Sequence, residues 1–429
     1  MHNGKKIGLA LSGGGYRAAA FHLGTMKSLH RLGILPNVDV ISSVSGGSII
    51  AAYYLLNKDK DFSEFEQTFK EKLQRSSMKW VYAEIIAIFI ILIFVFCICW
   101  KLCVSLLSIL LIVFLFRSYY VIPINQLIQL RYRELFFGCR SVKDLPPNPV
   151  LVINSTDTEF AKPFVFTRDR IIHSEYQPKN GQLVFNTGKI PLAKAVMASS
   201  CIPLFNPVRV SQKIQNVNLG KSVYLMDGGL FDNEGIHRLV HSRGKTKADY
   251  CIISNAGNTQ WNAKGMANIF SSLMKGINIM MKRTQSMQNQ NMMYNGYDGI
   301  HRFAFFELDW DNTDLVFLSF LKYFGKGYLP QELLDYHHLD KNDFENINSK
   351  NNVVKDEAER CIVKRLKANI NWDSLRKQMP TEEERAIAIA VKTRLEGLSR
   401  KQIDALVKQA NWLTELQIRL YLPELLNLK

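Results

Sequence analysis

Residues 5–34 read KKIGLALSGGGYRAAAFHLGTMKSLHRLGI, and residues 38–57 continue VDVISSVSGGSIIAAYYLLN. A short apolar strand over residues 6–11 breaks at Gly13, Gly14 and Gly15, then continues as an alanine-rich helix that stops near Gly33. A second strand, 38–44, delivers Ser45 into Gly46 and Gly47, and a second helix follows. A strand–helix–strand–helix unit of this spacing implies parallel strands joined by a right-handed crossover. Both glycine-rich turns then lie at the carboxyl ends of neighbouring strands, where open α/β sheets hold their sites. The fold expected is therefore α/β, an open and mostly parallel sheet with helices on both faces.

The turn at Ser45 has the form of a nucleophile elbow, G-x-S-x-G, in which a strand meets a helix so sharply that only small neighbours fit. Here the five residues are Ser43, Val44, Ser45, Gly46 and Gly47, with serine in place of the first glycine. Alone the pattern also describes an ordinary helix start. The three glycines ahead of the first helix present bare backbone N–H groups at the positive end of its dipole, an anion site. Neither phosphate-loop pattern, G-x-x-x-x-G-K-[ST] or G-x-G-x-x-G, fits SGGGYR. Beside a nucleophilic serine, the same N–H groups suit the oxyanion of acyl transfer. Arg17, near the start of that helix, is placed to hold an anionic head group, to orient the loop, or simply to face solvent.

A nucleophilic serine needs a base. Downstream, SVYLMDGGLFDNEGI (222–236) repeats the device: an apolar strand ends at Asp227, followed by Gly228 and Gly229. Such an aspartate can take the serine proton directly. His237 would complete a triad instead, although GIHRLVHSR reads as a polar helix face. His22, within the first helix, reads as a packed or solvated helix residue.

At this point the chain resembles the patatin-like phospholipases, of bacterial type with an inserted membrane segment. The likeness rests on GLALSGGGYRAAAFHLG, SSVSGGSIIAAYYL, AVMASSCIPLFNPV and DGGLFDN, in the family's order, and covers roughly residues 5–57 and 150–257. It implies a three-layer α/β/α fold and a lipid acyl hydrolase working through a Ser-Asp dyad. The nucleophile falls on Ser45, the base on Asp227 and the oxyanion donors on Gly13, Gly14 and Gly15, with no metal or organic cofactor. Ser43 and Ala18 depart from the family pattern, both as small-for-small exchanges.

Composition points to the partners. The 429 residues carry a formal charge of +16, which suits an anionic partner. No nucleic-acid motif or basic run interleaved with aromatics occurs, so a membrane is the expected partner rather than nucleic acid. Seven irregularly spaced cysteines, and no signal peptide ahead of the first strand, suggest a reducing cytoplasm. Residues 85–116 are apolar apart from Lys101 and two serines. Ser45 and Asp227 flank this run and must share one site, so the chain crosses a bilayer twice or not at all. Each half is shorter than a full span, and the turn CWKLC lacks glycine or proline, which favours insertion from one side over a full hairpin. Lys70, Lys72, Arg75 and Lys79 before the run, and Arg117, Arg131, Arg133, Arg140 and Lys143 after it, place both flanks in the cytoplasm.

The expected organisation is a catalytic domain of residues 1–80 and 138–340, a membrane-associating helical insertion of 81–137, and a helical C-terminal region of 341–429. Within that tail Thr381 with Glu384, and Ser399 with Gln402, mark two capped helices. The methionine-rich stretch 266–293 is expected to pack its apolar stripe on the sheet, with a lid over an acyl-chain groove as the alternative. The predicted function is membrane-associated cleavage of fatty-acyl esters of phospholipids. A serine esterase or peptidase with a histidine base, and an inactive scaffold of the same fold, are the rivals.

Overall fold

The computed structural model describes residues 4–121, 123–176, 184–203, 205–216, 219–240, 246–257, 269–290, 302–310 and 315–427. Among the described residues, nine strands form one sheet: β1 (Ile7–Leu11), β2 (Val40–Val44), β3 (Val150–Asp157), β4 (Lys162–Phe166), β5 (Ile171–Ile172), β6 (Val208–Val210), β7 (Val223–Asp227), β8 (Tyr250–Asn255) and β9 (Arg302–Glu307). Their order is β5-β4-β3-β2-β1-β8-β9, with β7 added against β3 and β6 against β7. The five strands from β3 to β9 along this path pair in parallel, and the pairs made by β4, β5, β6 and β7 are antiparallel.

β1, β2 and β8 are buried along their whole length, as strands covered on both faces must be. The two-residue period sorts their side chains into two cores. Ile7, Leu9 and Leu11 join the larger core with helices α1 (Gly15–Arg31) and α2 (Gly46–Leu56). Ala10, Val40, Cys251 and Ile253 meet Ile236, Leu239 and Val240 on the other face. The expected α/β/α layering holds.

The C-terminal region is built onto this body. Its last long helix, Arg400–Tyr421, packs along α1 so closely that a Cβ on Gly24 would lie 2.2 Å from the Val407 carbonyl oxygen. Both expected capping boxes, Thr381 with Glu384 and Ser399 with Gln402, are present.

The apolar insertion forms two helices, Lys79–Ile98 and Trp100–Val121, separated by Cys99 alone in extended conformation. The first is 20 residues long with a mean hydropathy of 3.0, or about 30 Å of helix, the thickness of a bilayer's hydrocarbon core. Both helices reach beyond the limits of the apolar run, and a single residue turns the chain without glycine or proline. The two ends return to one place: Trp80 Nε1 donates to Glu134, and Arg131 Nε to the Ser76 carbonyl at 3.0 Å. Phe89, Phe94 and Ile98 are each about two-thirds exposed. This pair is not a buried soluble core.

Candidate active site

Strand register decides how the site is assembled. β3 is eight residues long and is shared, on one of its edges, by two shorter strands. Parallel β2 pairs with its first part and ends where Val44 faces Asn154. Antiparallel β7 pairs with its last part and ends where Asp227 faces Ser155. The carboxyl ends of β2 and β7 therefore meet tip to tip at consecutive residues of β3. Ser45 and Asp227 emerge into the same gap and line one cavity.

Ser45 sits at φ 49°, ψ −116°, a conformation that costs a non-glycine residue of order 1–3 kcal/mol and persists only where the surroundings enforce it. They do so by crowding. A Cβ on Gly46 would stand 2.0 Å from the Gly15 carbonyl oxygen, and one on Gly47 2.4 Å from that of Leu11. Both positions admit only glycine, because α2 starts directly against the turn that starts α1.

The serine in place of the elbow's first glycine is accommodated by a buried hydroxyl chain. Ser43 Oγ lies 3.0 Å from Ser48 Oγ and donates to the Val152 carbonyl at 3.2 Å; Ser48 Oγ lies 2.9 Å from Ser199 Oγ. Ser199 Oγ in turn accepts the Ser45 N–H at 2.9 Å. Two residues on, the Cys201 carbonyl accepts the Asp227 N–H at 2.8 Å. The segment 199–201 thus aligns both candidate residues, a role that sequence reading missed in AVMASSCIPLFNPV.

Asp227 is 6% exposed. Burial pushes its carboxyl up to about 7, against the hydrogen bond from the Gly229 N–H (2.7 Å) and the influence of the nearby Ser45 hydroxyl. Desolvation dominates because it penalises the ionised form alone. A carboxylate poised near neutrality can accept a proton and return it.

Among the glycines expected to hold an oxyanion, Gly13 differs from expectation: its N–H already donates to the Asn233 carbonyl at 2.9 Å. The Tyr16 N–H is likewise taken by the Arg394 carbonyl at 2.9 Å. Gly14 (φ 139°) and Gly15 (φ 59°) occupy backbone that side chains rarely adopt, and their N–H groups have no hydrogen-bond partner among the described residues. Asn233 was also missed from sequence. It locks the glycine turn to the Asp227 turn, since a Cβ on Gly13 or Gly229 would lie 2.4 or 2.6 Å from its Oδ1.

Gly13, Gly14, Ser45, Asp227 and Asn233 line a cavity of about 540 Å³, together with Arg17, Lys275 and Lys282. Ile202, Pro203, Leu230, Ile277 and Met281 supply apolar wall. Arg17 donates to the Val391 carbonyl at 3.3 Å, its Nε has no hydrogen-bond partner among the described residues, and burial brings its guanidinium down to about 10. It remains a cation at neutral pH.

No histidine is among the described residues lining this cavity. His237 lies beside a separate small hollow with Phe231, Asp232 and Arg238, and its N–H is bonded to Asp232. His22 is fully buried, its Nε2 donating to the Ser12 carbonyl at 2.9 Å while Nδ1 accepts from Ser254 Oγ at 2.8 Å; burial pulls it down to about 4. It is a neutral brace between the glycine turn and β8.

A strained serine and a buried carboxylate at converging strand ends, on a mostly parallel sheet, define the class to which hydrolases of acyl esters belong. The chain belongs to the patatin-like phospholipase family, whose family model matches residues 9–240. The family supports lipid acyl hydrolysis in general. Among solved structures, the chain is similar to the human GIVD cytosolic phospholipase A2 (11% identity, 98% of this chain and 60% of that one, TM-score 0.43). It is similar also to VipD from Legionella pneumophila (13%, 96% and 91%, TM-score 0.33). A complex of the human enzyme with methyl gamma-linolenyl fluorophosphonate aligns at 16% identity over 49% of this chain, TM-score 0.31; there the chain spans 31% of its neighbour's length. A comparison with curated protein sequences gave no match.

Proposed function

We propose that the chain is a membrane-associated lipid acyl hydrolase of phospholipase A or lysophospholipase type, using Ser45 as nucleophile and Asp227 as its base. The observation that carries this is the tip-to-tip meeting of β2 and β7, which brings a strained serine and a carboxyl lifted to about 7 to the wall of one cavity. Ser45 Oγ attacks the ester carbonyl carbon as its proton passes to Asp227. The tetrahedral oxyanion is held by the N–H groups of Gly14 and Gly15. Collapse breaks the carbon–oxygen bond of the ester, and the departing alkoxide takes the proton from Asp227. Water then attacks the acyl-enzyme, giving its proton to Asp227, and the acid leaves as Ser45 is reprotonated.

Arg17, Lys275 and Lys282 on one part of the wall suit the phosphate of a head group, and Ile202, Pro203, Leu230, Ile277 and Met281 suit the acyl chain. In this reading helices 79–98 and 100–121 enter the bilayer as the insertion of domain 81–137, with the catalytic body, residues 1–80 and 138–340, and the tail 341–429 on the cytoplasmic side. The charge of the flanking segments supports that orientation. Because the two ends of the insertion adjoin at Trp80 and Glu134, both flanks share one compartment.

The test is labelling with a fluorophosphonate probe followed by release of fatty acid from phospholipid vesicles. Wild type should be modified at Ser45 and should release acid; Ser45→Ala should do neither. An unlabelled but folded wild type would leave the scaffold reading standing, and loss of activity in His237→Ala as complete as in Asp227→Asn would favour the histidine triad.

A further inference from the structure

Helix 269–290 is polarised the opposite way from a helix on a soluble protein. Lys275, Asn278, Lys282 and Gln285, with Ile277 and Met281, line the cavity. Leu273, Met280 and Met287 recur every seven residues on the far side, and Met280 is 72% exposed. A seven-residue step returns within about 20° on a helix, so the three form one stripe about 21 Å long. The expected packing of this methionine stripe on the sheet is reversed. The ends of the stretch, 266–268 and 291–293, lie outside the described residues.

The orientation is fixed by bonds on the inner face. Gln285 Nε2 donates to buried Glu234 at 3.0 Å, and Lys282 Nζ stands 3.6 Å from Glu307 Oε1. Met281 Cε would meet a Cβ on Gly229 at 2.9 Å, directly beside Asp227. Rolling the helix to bury Leu273, Met280 and Met287 would break these contacts and draw Lys282 and Gln285 into water, leaving Glu234 and Glu307 buried without them. An apolar stripe held outward at the rim of a cavity marks a contact surface.

We propose that this stripe rests on the surface of an anionic phospholipid bilayer; the proposal rests on the lipid-hydrolase reading above. Charge favours that occupant. Exposed Arg283 flanks the stripe, and the chain carries 54 Lys and Arg against 38 Asp and Glu, the complement of an anionic leaflet. Continuity with the apolar insertion favours it too. Thr393 also lines the cavity, within a strap that holds the root of the insertion: the Ser77 N–H donates to the Leu395 carbonyl at 2.9 Å and Tyr82 Oη to Glu396 Oε1 at 2.7 Å. The cavity is thus bordered by helix 269–290 and by the strap that anchors the apolar insertion. A helix with a charged flank and an apolar stripe lies in the interface plane rather than across it.

The test uses the full chain carrying Ser45→Ala, with native cysteines replaced by serine, reconstituted in vesicles of phosphatidylcholine and phosphatidylglycerol. An environment-sensitive fluorophore goes on Leu273→Cys, Met280→Cys, Met287→Cys or, as control, Val353→Cys, an apolar residue 73% exposed on another helix. Lipids brominated on the acyl chain should quench the first three at least two-fold more than the control. Equal quenching at all four positions, or none at the three, overturns the proposal. So does finding that the three positions are shielded by a second copy, seen as a dimer lost in the triple variant Leu273→Gln, Met280→Gln, Met287→Gln. In the active background that triple variant should lose at least ten-fold in rate on vesicles while keeping its rate on a monomeric short-chain ester within two-fold; equal loss on both overturns it. The quenching needs no turnover. If wild type hydrolyses neither substrate the catalytic reading fails, and docking is still decided.

Discussion

Asp227→Asn should disarm the enzyme and stabilise it, and the stabilisation should depend on pH. Burial moves this carboxyl from its ordinary 3.8 to about 7. The native state then binds its proton more tightly than the unfolded chain does, so ionisation works against folding. That part of the stability is complete below pH 3.8 and is lost as pH climbs through about 7. A shift of roughly three pH units at 1.36 kcal/mol each corresponds to about 4 kcal/mol once ionisation is complete. Asparagine keeps the acceptor for the Gly229 N–H, 2.7 Å away, and cannot ionise. Its advantage over wild type should grow by about 2–3 kcal/mol between pH 5 and pH 8, a rise of a few degrees in the unfolding midpoint. Thermal unfolding of both proteins in detergent at the two pH values measures this, and turnover on the same samples should be abolished in the variant. An advantage equal at both pH values, or a variant less stable at pH 8, would falsify the claim that a desolvated carboxylate is held at the base of Ser45.

Four further outcomes follow from the same geometry. For wild type, kcat/KM should rise with unit slope below pH 7 and level off above it, as the free base Asp227 ionises; a plateau already reached at pH 5 would contradict the raised carboxyl. Ser199→Ala removes the acceptor of the Ser45 N–H at 2.9 Å, a loss of about 1–3 kcal/mol for a buried donor left unpaired; kcat should fall at least ten-fold with KM little changed, read by steady-state kinetics. Gly397→Ala would set a Cβ 2.1 Å from the Gln74 carbonyl oxygen, and should lower both the unfolding midpoint and turnover although residue 397 touches no substrate. A cysteine at Lys101, two residues past the helix-to-helix turn at Cys99, should be labelled from outside intact cells if the insertion spans the bilayer; labelling only after permeabilisation would show entry from one side.

The sequence made some of this legible and left the rest hidden, and the division has a physical cause. Glycine runs, strand ends and caps are local, so Gly13–Gly15, Ser45, Asp227 and the boxes at Thr381 and Ser399 stood out. Register is not local. Nothing in VLVINSTD states that β2 takes one part of β3 and β7 the other, yet that division alone makes Ser45 and Asp227 neighbours. Commitment of individual N–H groups is equally remote, as with Gly13 to Asn233 and Tyr16 to Arg394 across 220 and 378 positions of chain. The stripe of helix 269–290 was read inside out, because periodicity reports that one face is apolar and cannot report which way it faces.

The C-terminal strap shows how far the site extends beyond the family motifs. The family match ends at residue 240, and the tail carries no residue of the proposed dyad. Even so the Arg394 carbonyl holds the Tyr16 N–H, stands 2.5 Å from where a Cβ on Gly15 would lie, and so sets how closely the glycine turn can be approached. The Val391 carbonyl holds Arg17 against the cavity wall, and Thr393 forms part of that wall. Leu395 and Glu396 then fasten the root of the apolar insertion. A single six-residue stretch, 391–396, therefore touches three parts of the molecule: the glycine turn at Gly15 and Tyr16, the cation at Arg17 and the element proposed to sit in the bilayer. Backbone carbonyls make most of these contacts, so many side-chain substitutions in the strap would pass unnoticed, whereas a change in its path, as at Gly397, would be felt at all three.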